Sequence, residues 1–381
     1  MRPAKPIAWR EVLAQGVLIA VIALVAAVGT HTALTNMRER GLASGFGFLN
    51  RSAGFDVAQS LIAYEPTDSY ARLFLVGALN TLLVAAIGIV GATLLGLLAG
   101  VTRRAKSTGL RAVALGYVEL ARNMPLPIQL LIWYGMLSAA PPPRAAIAFG
   151  QAVFVTNRGL YLPALTWSVP ALSVLAELAP AAVAAGLAAR LFALRRAQGG
   201  RAPRPIWALG AAVLAVVVIL AHATSGVSLP RLQGYGFVGG FEIAPPLLAL
   251  SLALIVYTGA YVAELVRGGL AAVPAGQMEA AKALGLGDLQ ILRLVSLPQA
   301  MRVIVPPLIS QYLNLAKNAS LAVIVGYPDL VALFGGTALN QTGQAIETLS
   351  LVLVFYLVLS LALSGMVNAW SRRTSIWAAA R

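Results

Sequence analysis

Apolar residues in this chain come in long unbroken runs, not in the short alternations or single stripes that line the core of a soluble fold. A helix needs roughly 20 mostly apolar residues to cross the hydrocarbon layer of a membrane. Eight runs meet that length, near Val12–Ala33, Leu73–Val101, Ala112–Leu137, Thr166–Ala189, Ile206–Ala223, Leu247–Val266, Val303–Val325 and Ile346–Trp370. The first is too long for a signal peptide, and no Ala-x-Ala site closes it, so it is expected to remain as an anchor. Three of the polar connections stand out. Residues 35–70 mix Gly, Ser and charge with Phe46, Phe48 and Phe55, aromatics expected at the membrane interface. The turn Arg195–Pro205 is rich in Arg, Gly and Pro. The stretch 268–300 between the sixth and seventh runs is unlike the others. The pattern predicts an all-α integral membrane protein with about eight transmembrane helices.

Composition strengthens this reading. The chain is 59% hydrophobic and 11% charged, where soluble chains carry about 25% charge; its mean hydropathy is +0.82. It has no cysteine, which excludes disulfides, thiolate metal sites and a cysteine nucleophile. His31 and His222 are too few for a metal cluster. The net charge of +15 sits between the apolar runs. There it sets topology and does not signal nucleic acid. With the N-terminus inside, nineteen Lys and Arg fall on cytoplasmic segments and seven on outer loops, with Arg122 and Lys317 inside runs. Both termini are therefore expected in the cytoplasm, which an even number of spans requires. The nearest approach to a phosphate loop, Gly100-Val101-Thr102-Arg103-Arg104-Ala105-Lys106-Ser107, has Ala105 at its second glycine position and follows a membrane run instead of a strand. No Ser/His/Asp set lies at compatible depths, so a membrane hydrolase is excluded too.

The stretch 268–300 predicts two short helices with a break. Residues 277–284 are strong helix formers. Gly285 and Gly287 end that helix, Asp288 can cap the next, and Leu289, Leu292 and Val295 form an apolar stripe. Pro298 marks the boundary before the next span. Such a helix either lies on the lipid surface or, through the small Ala280, Ala281 and Ala283, lets another protein come close.

Glu279-Ala280-Ala281, then three residues, Gly285, nine residues and Val295-x-Leu297-Pro298 resembles the cytoplasmic EAA loop of importer-type ABC transporter permeases, with Val295 where that family has Ile. Further segments resemble its polar amino-acid branch: Gly77–Leu82, Arg122–Leu130, Tyr257–Gly269 and Lys317–Leu321. Arg122-Asn123-Met124-Pro125-Leu126 departs from the branch's more frequent Arg-Gly-Thr-Pro-Leu. With Asn157–Pro163, the chain is similar to the broad-specificity general L-amino-acid subgroup. The resemblance implies a five-helix core formed by the second, third, sixth, seventh and eighth spans. The first span and an inserted helical hairpin at 163–223 are extra. It divides the chain into an N-terminal helix and periplasmic loop (1–70), a transporter domain (71–370) that contains the coupling loop (268–300), and a cytoplasmic tail (371–381).

The implied function is that of a permease subunit of an ATP-driven importer for polar or general L-amino acids in the bacterial inner membrane. The chain itself would not be an enzyme and would hold no cofactor. Glu279, Ala280, Ala281, Gly285, Leu297 and Pro298 would couple it to separate ATPase subunits, which bind ATP and magnesium. The implied partners are a homologous second permease, two ATP-binding subunits and a periplasmic amino-acid-binding protein, in the lipid bilayer. The rival is an ion-coupled secondary transporter. That class favours inverted halves and membrane carboxylates; the halves are not evident, and the EAA loop would have no role.

Polar residues at membrane depth are the candidate substrate path: Asn80, Thr81, Arg122, Gln129, Tyr257, Thr258, Lys317 and Asn318. Arg122 lies about 15 Å from the inner end of its span by helix rise. Pro125 and Pro127 should break or kink that helix. Glu119, on the same face, gives Arg122 either an ion-pair partner or leaves it for substrate. Lys317 and Asn318 lie about 21 Å from the inner end of the seventh span, at a depth similar to Asn80 and Thr81. Tyr257 and Thr258 fall near the middle of the sixth. A zwitterion needs donors for its carboxylate and acceptors for its ammonium, which this set contains; alternatively, Lys317 snorkels outward. Glu264 and Arg267 look structural, Glu177 stands alone, and Gly96-x-x-x-Gly100 reads as a helix-packing face.

Overall fold

Four helices among the described residues are long and apolar enough to cross a membrane. The structure, a computed structural model, describes residues 9–39, 45–105, 107–167 and 224–379. The hairpin expected from the fourth and fifth runs, with Glu177 and the Arg195–Pro205 turn, lies outside the described residues except at Thr166 and Trp167. The helices are α1 (Trp9–Glu39), α2 (Tyr70–Thr102), α3 (Thr108–Asn123), α4 (Leu126–Ser138), α5 (Pro245–Ala271), α6 (Ala275–Ala283), α7 (Asp288–Ile291), α8 (Leu297–Asn318), α9 (Leu339–Thr342) and α10 (Ala345–Ala379). The long crossings are α2, α5, the helical stretch Asp288–Val325 and Ala345–Gly365 of α10. The third expected crossing is in two pieces, α3 and α4, divided at Met124-Pro125 as the prolines require.

The chain divides into two units. The first holds the residues up to Gln129 and those from Leu250 onward, and α2 is its axis. Along α2, glycines admit neighbouring helices. A Cβ at Gly96 would lie 2.5 Å from Val262 Cβ and 2.8 Å from the Gly259 carbonyl oxygen, and one at Gly100 would lie 2.7 Å from Val266 Cβ. The Gly96-x-x-x-Gly100 face therefore seats α5, by the backbone approach that small residues permit. Nearer Tyr70, Leu315 of α8 fills the space left by Gly88, and the Thr93 and Tyr312 hydroxyls meet at 2.7 Å.

The last-but-one crossing ends at Val325, as its apolar run suggested, but helical structure resumes beyond it. After α8 the chain narrows into a 3-10 turn (Ala319–Val325), reverses through Gly326 at φ +74° and unwinds over Tyr327-Pro328-Asp329. It then resumes as a π segment (Val331–Ala338) and α9. This break is held against α2. Asn80 Nδ2 donates to the carbonyls of Pro328 (2.9 Å) and Gln59 (2.8 Å), and Leu330 N donates to Thr81 Oγ1 (3.1 Å). Gly77 lets the Leu330 backbone close in. Asp329 Oδ1 accepts from Ala332 N (2.8 Å) and caps the resumed helix. Tyr70 then donates to Gln341 Oε1 (2.8 Å), so the segment runs alongside the first turns of α2. Asn80→Ala should cost about 2 kcal/mol by leaving a buried carbonyl unpaired. The check is the thermal unfolding midpoint in detergent, and a midpoint equal to wild type would deny Asn80 this role.

Residues 45–69 fold onto the same end of α2. Phe48 is fully buried, edge-on to Tyr70 with ring centroids 5.7 Å apart, in a cluster with Leu73, Val76, Leu330, Phe334 and Val352. Phe55 packs against this cluster, while Phe46 is 52% exposed. The interfacial role expected of the three aromatics is therefore open only to Phe46: the other two are drawn into the cluster. Glu347 Oε1 accepts from Gly45 N, at 2.6 Å.

The second unit, Leu130–Ala249, contains short strands that the helical pattern did not foretell. They are β1 (Ile147–Phe149), β2 (Val153–Thr156), β3 (Gly159–Leu162), β4 (Ala164–Trp167), β5 (Thr224–Ser228), β6 (Arg231–Gln233), β7 (Gly236–Val238) and β8 (Phe241–Ile243). They form an antiparallel sheet of order β1-β2-β3-β8 and the pairs β4-β5 and β6-β7. The membrane body is helical as expected, and these strands lie between its helices in sequence. Thr166, expected to open a span, belongs to β4, and Ala164 pairs with Ser228, so the two ends of the insertion are tied together. Phe237 stacks on Phe154 and Tyr161 at 4.6 and 4.8 Å. Burial raises the Tyr161 hydroxyl pKa above the ordinary tyrosine value, and Glu242, opposite it across the sheet, adds to the shift.

Candidate functional site

The loop after α5 has the two-helix form its sequence indicated. α6 ends in a paired glycine turn: Gly285 N bonds Lys282 O at 2.9 Å and Leu286 N bonds Ala281 O at 3.2 Å, with Gly285 at φ +77°. Both orphan carbonyls are thereby satisfied, at a φ that glycine adopts without strain. Gly287, not Asp288, is the N-cap of α7, and Gln290 Oε1 accepts from its N–H at 3.0 Å. Helical structure also continues through Pro298 where a boundary was expected. A π turn (Leu292–Ser296) loosens the hydrogen-bond ladder just before this residue without a free N–H, and Pro298 sits in the first turn of α8. Ala281 is buried, whereas Glu279, Ala280 and Gly285 are exposed. Leu284 and Leu289 are 80% and 76% exposed. Leucines so exposed on either side of a rigid turn are available to a partner surface.

The root of this loop is fixed by charge and packing. Glu264 on α5 accepts from Arg103, just past the end of α2, and from Arg267 Nε at 2.9 Å. This is the structural role expected of Glu264 and Arg267. Val266, Leu270, Val273, Ala300 and Ile304 form a buried cluster beside it.

A second polar group lies where α3 breaks. Met124 is extended (φ −92°, ψ 123°), and the interruption frees carbonyls. Gln129 Nε2 donates to two of them, Ala121 O at 2.7 Å and Met124 O at 3.0 Å. Gln129 is thus buried as the seal of the break. Arg122 does not pair with Glu119; both are exposed, and the Arg122 guanidinium lies over the Tyr261 ring, 5.3 Å from its centroid. Tyr261 is in turn against Tyr257, with ring centroids 5.1 Å apart and hydroxyls 3.3 Å apart. Tyr261 was not among the candidate path residues; its i+4 spacing from Tyr257 on a helix was the available signal. Thr258 is buried on the adjoining position.

The expected path residues therefore separate into groups. Arg122 and Tyr257 come together through Tyr261. Asn80 and Thr81 are fully buried and brace the unwound segment at Pro328 and Leu330. Lys317 is exposed and Asn318 half-buried at the end of α8. Neither side chain bonds another described residue.

The described residues form a multi-pass helical membrane body with two interruptions beside polar side chains and one loop presenting apolar tips. Residues 92–376 match the family described as binding-protein-dependent transport system inner membrane component, and the chain belongs to that family. It is similar to YhdX of Escherichia coli strain K12, by name a candidate amino-acid ABC transporter permease, with 44% identity over 370 residues covering 94% of this chain and 93% of that one. It is 41% identical over 351 residues to the general L-amino acid transport system permease protein AapQ of Rhizobium johnstonii, covering 91% and 87%. It is 36% identical over 376 residues to the glutamate/glutamine/aspartate/asparagine transport system permease protein BztB of Rhodobacter capsulatus, covering 90% and 88%.

Proposed function

We propose that this chain is the permease subunit of an ATP-driven importer for polar or general L-amino acids in the bacterial inner membrane. The observation that carries the reading is the loop Ala275–Pro298, whose rigid turn at Gly285 presents Glu279, Ala280, Leu284 and Leu289 to a partner. ATP and magnesium belong to two separate ATPase subunits seated on this loop and on its counterpart in a second, homologous permease. A periplasmic amino-acid-binding protein delivers substrate to the opposite side, both termini being cytoplasmic. The names of the relatives support amino acids as the substrate class, and the lack of an apparent inverted repeat disfavours an ion-coupled carrier.

Along the path, Arg122 over Tyr261 offers a cation to a substrate carboxylate, with the Tyr257 hydroxyl beside it. Lys317 and Asn318 form a further polar position on α8. Arg122→Met should lower uptake of subsaturating amino acid about tenfold, the worth of one charge-assisted hydrogen bond, with unchanged protein in the membrane. Undiminished uptake would remove Arg122 from the path. The reading as a whole is tested by uptake against a panel of amino acids after either ATP depletion or collapse of the ion gradients. Loss of uptake on gradient collapse at normal ATP would favour the ion-coupled class.

A further inference from the structure

In the second unit, β6, β7 and the turn after α4 enclose a groove of about 380 Å³, walled by Pro143, Phe154, Pro230 and Phe237 and flanked by Arg144 and Arg231. Arg144 is held in place: its guanidinium lies 4.1 Å from the Tyr235 ring centroid, and its Nε reaches Gly234 O at 3.5 Å. Arg231 is exposed, and its side chain has no hydrogen bond or ion pair with another described residue. The acidic residue of this unit among the described residues, Glu242, lies on β8 opposite Tyr161 and does not line the groove. At the groove, Leu232 is 48% exposed, and Tyr235, which stacks under Arg144, is 72% exposed.

This surface is continuous along the chain with membrane helices. Arg144 follows the last residue of α4 by six positions, so it is within about 20 Å of that helix end, and β8 ends two residues before α5 begins. Two arginines beside aromatic rings, a few residues from a bilayer crossing, have the chemistry of a headgroup layer, with guanidinium for phosphate and rings for the acyl boundary. We propose that the Arg144–Arg231 groove holds the phosphate of an anionic phospholipid and that the β segment lies in the headgroup layer of the membrane that α4 and α5 enter.

The native chain has no cysteine, so Leu232→Cys takes a single environment-sensitive bimane label at the groove. The full-length labelled chain is reconstituted in vesicles of phosphatidylcholine, alone or mixed with increasing phosphatidylglycerol. The expected result is a saturable blue shift with phosphatidylglycerol. Adding Arg144→Gln and Arg231→Gln should raise the half-saturating fraction at least about tenfold, since each arginine near an anionic surface is worth about 1 kcal/mol. Arg158→Gln, on the β2–β3 turn and not among the groove-lining residues, should change the response less than the double variant does. Any of four results overturns the proposal: no shift with phosphatidylglycerol, an undiminished shift in the double variant, equal loss with Arg158→Gln, or displacement by millimolar inorganic phosphate. The first of these is read on the labelled chain with both arginines intact, so it decides even where the double variant does not fold.

Discussion

Gly96→Leu should leave little intact protein in the membrane. A Cβ alone at this position would stand 2.5 Å from Val262 Cβ and 2.8 Å from a backbone oxygen of α5. The oxygen cannot rotate away, so α2 and α5 would have to separate along their seam. Overpacking of this kind costs about 3 kcal/mol, a large part of a typical folding free energy. The matched control is Gly116→Leu on α3, where nothing lies within 4 Å of an added Cβ. Membrane-inserted yield and thermal midpoint in detergent are the readouts. Equal yield and midpoint for the two variants would mean that the seam is not tightly packed.

Gly285→Arg should abolish uptake, by tenfold or more, while the protein reaches the membrane at normal levels. Gly285 has φ +77°, which costs an ordinary side chain roughly 1–2 kcal/mol, and it lies exposed between Leu284 and Leu289. The substitution therefore both strains the turn and adds a bulky charge to the face proposed to meet the ATPase. Gly285→Asn separates the effects, because asparagine tolerates the left-handed region and is small; it should keep most of the uptake. Wild-type uptake by Gly285→Arg at equal expression would end the coupling role of this turn.

Much of the membrane body was legible because lipid imposes length and polarity on every crossing. The runs for α2, α5 and α10, the break at Pro125 and the packing face at Gly96 all followed from that constraint. The strands did not, since β1, β6, β7 and β8 have three residues each, too short to show a period of two. The helical segment that resumes after Val325 was not expected, because Gly326, Pro328 and Asp329 interrupt the apolar pattern before it. For the candidate path, helix rise places a residue along an axis but not around it. Asn80 and Thr81 are buried in the protein interior, Gln129 reaches back from α4 to the end of α3 and the break, and Tyr261 was passed over although it lay one turn from Tyr257.

At 33 residues, α2 is about 50 Å long, against a hydrocarbon layer of about 30 Å. A tilt of about 20° recovers only about 3 Å, so α2 stands proud of the lipid as a post. The Phe48–Phe334 cluster is built around its Tyr70 end, and the same post braces the broken crossing at Asn80. Changes in acyl-chain length should therefore slide the lipid edge along a preassembled shaft. The bilayer can thicken or thin by several ångströms without prising open the polar interruption that the shaft supports.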